Sequence, residues 1–65
     1  MTSDEAKQAF FNGDPVESQG ITYRCISALI YRRKDGKTVL SLELQDKNRN
    51  SVTIADCERV HPAAI

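Results

Sequence analysis

Apolar residues recur with two different periods along this chain. In the opening stretch TSDEAKQAFFNG, Ala6, Ala9 and Phe10 stand at i, i+3 and i+4, the spacing of one helical face. Thr2 followed by Glu5 fits a capping box, and Asp4 and Glu5 suit the positive end of the helix dipole. Asn12-Gly13 supplies a stop and Pro15 forbids continuation, so the pattern predicts a helix over 3–12. A helix this short is marginal alone, so its apolar face, above all Phe10, is expected to dock on the rest of the domain. After Pro15 the period falls to two. PVESQGITY reads as a short strand, a tight turn at Gly20 and the start of a second strand, ITYRCISALIYRR, long enough to bend and serve two packing surfaces. KTVLSLELQD alternates, with Leu40, Leu42 and Leu44 on one face. SVTIA alternates again with Val52 and Ile54 inward, and a terse strand around Val60 ends at Pro62.

Asp35-Gly36 lies between the two longest strands, and the loop length there decides the register. A two-residue loop would set Ala28 opposite Glu43 and Ile30 opposite Ser41. A three-residue loop, Lys34-Asp35-Gly36 with a left-handed Gly36, sets Ile30 opposite Leu40, Ala28 opposite Leu42 and Ile26 opposite Leu44. A slip of one residue exchanges the faces of a strand, so apolar matching favours the three-residue turn. The expected core is then Ile26, Ala28, Ile30, Leu40, Leu42, Leu44, Val52, Ile54 and Val60, with Phe10 docked from the helix.

Sixty-five residues make one domain, 1–65, near the lower limit for a self-supporting core. Five strands joined by tight turns leave no room for parallel crossovers, so the sheet is antiparallel. The fold class expected is mainly β with a short N-terminal helix: a five-stranded antiparallel barrel over 14–63, which buries both surfaces of the long second strand. This layout resembles SH3-like small barrels, whose last two strands are commonly joined by a 3₁₀ turn that ADCER (55–59) could supply. The resemblance is one of topology. The aromatic and acidic motif of peptide-binding SH3 domains is missing, since the chain has no Trp and ALIYRR is basic there. The glycine-bearing motif of KOW-type barrels is missing too. The chain is also similar to small proteins of bacterial and prophage genomes, a likeness that carries no function.

Charge alters this picture in one place. Nine basic and nine acidic residues cancel, but unevenly. Residues 1–20 are acidic, and residues 21–50 hold seven bases against Asp35, Glu43 and Asp46. Arg32, Arg33, Lys34 and Lys37 gather at the hairpin, with Tyr31 beside them to stack on bases; Lys47 and Arg49 form a second basic pole at the far end of the next strand. A strand of about ten residues spans ~30 Å, so these are two poles and not one patch.

Catalytic chemistry finds little to work with. The one His, His61, stands beside Pro62, and Cys57 four residues earlier sits in a turn. Cys25, Cys57 and His61 fall one short of a closed zinc site, and no glycine-rich phosphate loop is present. No catalytic, cofactor-binding or metal-binding residue is expected, and no cofactor. The two cysteines have no CxxC spacing and read as ordinary thiols. No apolar run nears the ~20 residues of a membrane span, and a cytoplasmic protein is expected. The function expected is a non-enzymatic binding or adaptor module. A protein partner is favoured over nucleic acid, and the chain should be a monomer or a weak homodimer through an exposed strand edge near SVTIA. The alternative is weak nucleic-acid binding through the hairpin 31–39.

Overall fold

A computed structural model describes residues 1–48 and 50–63. The helix, α1, runs Ser3–Asn12. The Thr2 hydroxyl accepts from the Glu5 backbone N–H, and the Glu5 carboxylate accepts from the Thr2 backbone N–H at 2.9 Å, so the capping box is complete. The Thr2 backbone donor also holds the Glu5 carboxyl below its ordinary pKa. Gly13, at φ 71°, closes the helix in the left-handed conformation. Ala6 and Ala9 are buried and Phe10 packs against the core, while Phe11 points to solvent.

Six strands follow: β1 Val16–Ser18, β2 Ile21–Tyr23, β3 Cys25–Lys34, β4 Lys37–Gln45, β5 Val52–Asp56 and β6 Val60–Pro62. A 3₁₀ turn, Cys57–Arg59, joins the last two, where the sequence suggested one. All pairings are antiparallel, but they make two separate three-stranded sheets, β2-β1-β6 and β3-β4-β5. The five-stranded barrel expected from the sequence is therefore not the fold. The long second strand breaks at Arg24 into β2 and β3, and each half pairs in a different sheet. The Arg24 N–H donates to the Gln45 carbonyl at 2.8 Å at this break, but among the described residues no strand of one sheet pairs with a strand of the other. Neither sheet closes.

The β3–β4 register also differs from expectation, and the difference is local. Asp35 (φ 51°) and Gly36 (φ 77°) are both left-handed, the two-residue turn that Asp-Gly favours in hairpins. Near the turn the pairs are accordingly Lys34–Lys37, Tyr31–Leu40, Ile30–Ser41, Leu29–Leu42 and Ala28–Glu43. The extra residue falls at Ser27, not at the turn. This bulge shifts the register between Ile26 and Ala28 and restores Ile26 opposite Leu44, the one expected pair that holds. Ser27 is fixed by its hydroxyl, which donates to the Glu43 carboxylate at 2.9 Å and to the Glu43 carbonyl at 3.3 Å.

The bulge decides what is core. Ile26, Leu29, Leu42 and Leu44 face α1 and the first sheet, whereas Ala28 and Ile30 turn to the outer face and leave the expected core. Val52 and Ile54 are overturned too: they are 50% and 48% exposed. The cause is the Asp46–Ser51 turn. The Asp46 carboxylate accepts from the Asn50 N–H at 3.0 Å and from the Ser51 hydroxyl at 2.9 Å, and this clamp sets Val52 opposite Gln45. Thr53 and Ala55 then stand beside Leu44 and Leu42 on the inner face. The buried set also includes Val16, Tyr23, Cys57 and Val60. Leu42, Leu44, Val16 and Val60 are fully buried, and each such side chain stabilises the fold by about 1.5–3 kcal/mol. No helix among the described residues is long and apolar enough to cross a membrane.

Candidate functional site: the basic hairpin and the outer sheet face

Two surfaces are left over once the core is accounted for. The first is the distal half of the β3–β4 hairpin. β5 ends at Asp56, opposite Ser41, so from Leu40 outward β4 has no neighbour on that side. The hairpin continues as a two-stranded ribbon, and every residue from Tyr31 to Thr38 is exposed. Leu40 still leans on the core, but no side chain from Tyr31 to Thr38 belongs to it.

Antiparallel partners share a face, so the register sorts the expected site residues. Lys34 and Lys37 are directly opposite each other, and Arg32, one rung inward, pairs with Val39 on the same face. Arg33 and Tyr31 lie on the other face, opposite Thr38 and Leu40. The five residues expected as one polyanion site are therefore divided: three cations on one side of the ribbon, an arginine and a half-exposed tyrosine on the other. A single strand of nucleic acid lying flat on the ribbon meets one group or the other. Among the described residues none of the four cations forms an ion pair. The second basic pole is represented by Lys47, exposed in the turn beyond β4; Arg49 lies outside the described residues.

The second surface is continuous with the cationic side of the ribbon. On the outer face of the β3-β4-β5 sheet, successive rungs read Arg32–Val39, Ile30–Ser41–Asp56, Ala28–Glu43–Ile54 and Gln45–Val52. None of these residues belongs to the packed core or to the apolar side chains leaning on it. Ile54 and Val52 are half exposed, and Ile30, Val39 and Ala28 are partly so. Two apolar rows, Ala28 and Ile30 on β3 and Val52 and Ile54 on β5, therefore lie open to water on either side of the polar β4 row, with Arg32 at the hairpin end. Apolarity places Val52, Ile54, Ala28 and Ile30 inward, which hides this surface from the sequence. The signal that could have revealed it is the Asp46 turn, which fixes the face parity of β5.

Cys57 is buried in the 3₁₀ turn, and its thiol donates to the Met1 carbonyl at 3.2 Å. Burial pushes its pKa up, which keeps it as the protonated, weakly nucleophilic thiol. His61 is exposed on β6 opposite Glu17. Among the described residues no three His, Cys, Asp or Glu side chains converge as a metal site would require. An open notch of about 400 Å³ beside the free edge of β4 is lined by Thr38, Val39, Leu40, Asp56 and Cys57. Met1, Ser3 and Glu58 complete its wall, and it opens broadly to solvent. No family model matches the chain, and comparison with curated proteins and with solved structures returned no match.

Proposed function

We propose that this chain is a small, non-enzymatic binding module that contacts a protein partner through the outer face of the β3-β4-β5 sheet. One observation carries the reading: Val52 and Ile54 on β5 are half exposed, and with the partly exposed Ala28 and Ile30 on β3 they flank the polar β4 row Ser41, Glu43 and Gln45 on a single face outside the packed core. Single exposed apolar residues are ordinary; several gathered on one sheet face around polar groups are the form an interaction surface takes. The two free thiols support a reducing, cytoplasmic setting. A photoreactive side chain placed at Ile54 should trap a defined partner in source-cell lysate, and the same group at Thr22, exposed on β2, should not. Equal trapping at both positions would refute the assignment of the surface.

A second reading has its own observation. Lys34 directly opposite Lys37 costs stability, because like charges across a strand pair repel. A polyanion would relieve that repulsion. Heparin or single-stranded DNA at low salt should then shift the amides of Arg32–Lys37, and the shift should fade as salt is added. Unmoved resonances would remove this reading.

A further inference from the structure

We propose that the outer sheet face binds a second copy of this chain, face to face about a two-fold axis. The inference rests on the outer face being the contact surface and names its occupant. The order of charge along the face argues for a copy. Arg32 lies one rung to the hairpin side of Ile30 and Ser41, and Glu43 lies one rung to the other side. A two-fold axis running across the strands above the Ile30–Ser41 rung reverses the rung order. It lays the Arg32–Val39 rung of one copy over the Ala28–Glu43–Ile54 rung of its partner, twice over. Strand order is kept, so Arg32 lies over the small Ala28 of the partner and Val39 over the partner's Glu43, and the guanidinium reaches that carboxylate one strand (~4.8 Å) across. Ser41, small and buried at the centre of the face, puts no bulky side chain under the axis.

The remaining charges agree with this arrangement. The chain has equal numbers of basic and acidic residues, so two copies carry no net repulsion. Asp56, on the β5 rim of the central rung, is exposed, and the angle of about 30° between packed sheets splays the rims into water. Three strands ~4.8 Å apart and five rungs ~6.8 Å apart give a footprint of roughly 400 Å² per copy, before side-chain relief is counted. That lies at the low end for a specific interface, so the association is weak and concentration-dependent. The same axis lays the exposed Lys34–Lys37 rung over the Gln45–Val52 rung of the partner, where the lysine stems can lie along Val52 and carry their ammonium groups out to water.

Sedimentation equilibrium from about 10 μM to 1 mM tests this, with charge exchange as the discriminating step. The unaltered chain should pass from monomer to dimer. Arg32→Glu alone and Glu43→Arg alone should each weaken dimerisation at least about tenfold, because each sets like charges against one another at both contacts. An equimolar mixture of the two variants should dimerise again, since in the heterodimer both contacts join opposite charges. A chain that stays monomeric throughout overturns the proposal. So does a dimer insensitive to both exchanges but lost on Thr53→Pro, which would place the contact at the β5 edge. Trapping at Ile54 separates the two readings: a monomer that still traps a different protein there loses only the second copy, and a monomer that traps nothing loses the surface as well.

Discussion

β4 has two halves of opposite character. Leu42 and Leu44, near its C-terminal end, are sealed from solvent, while Lys37 and Thr38 at its start are exposed. Both halves obey the same alternation and both pair with β3. What differs is the neighbourhood: the proximal half has the core on one face and β5 at its side, and outward of Leu40 the distal half has only β3. Proximal side chains are therefore constrained by packing. Distal ones are constrained only by the turn, so their charge is free to serve contact. The same contrast runs through the proximal sheet, whose inner face is core and whose outer face carries exposed apolar residues on β3 and β5.

The contrast is most easily broken at the buried end. Leu42→Ala should cost about 2–5 kcal/mol in urea unfolding, because the inner face closes around it from both sheets. A loss well under 1 kcal/mol would mean that Leu42 is not core. Gly36→Ala comes next, at about 1 kcal/mol, for it forces a Cβ into the left-handed turn that sets the distal register. A melting temperature unchanged by this substitution would contradict the two-residue turn. Lys37→Glu should raise stability, by about 0.2–1 kcal/mol, by turning the Lys34–Lys37 repulsion into attraction, and the gain should shrink in salt. Destabilisation would show that the lysine pair has a structural use. Smallest of all, Ile54→Ser should change stability by no more than about 0.5 kcal/mol, since its side chain leans on nothing in the core. A cost like that of Leu42→Ala would place Ile54 inside.

Much of this was legible in the chain where the causes are local. The helix, its capping box, its glycine stop and the 3₁₀ turn depend on residues a few positions apart, and all stand where the sequence placed them. Which face a strand buries was less legible, because it depends on where one extra residue sits. Apolar matching led to a bulge at the Asp35-Gly36 turn. The preference of Asp-Gly for a two-residue turn won there, and the mismatch moved to Ser27, whose hydroxyl can bond back to Glu43. Leu29, an inner-face residue, and Ile30, an outer-face one, exchanged roles as a result. For β5 the Asp46 clamp outweighed the apolarity of Val52 and Ile54. The break at Arg24, which makes two open sheets of an expected barrel, has no local marker in the sequence. The basic hairpin was visible as composition, but its division into two faces needed the register.

The outer face is tested most directly by following backbone amide resonances through a dilution series. Arg32, Val39, Glu43 and Ile54 should shift together as concentration rises, with Ala6, Ala9 and Val16 unmoved. Shifts confined to the inner-face residues, or no shift at millimolar concentration, would contradict the assignment of that face as the contact surface between copies.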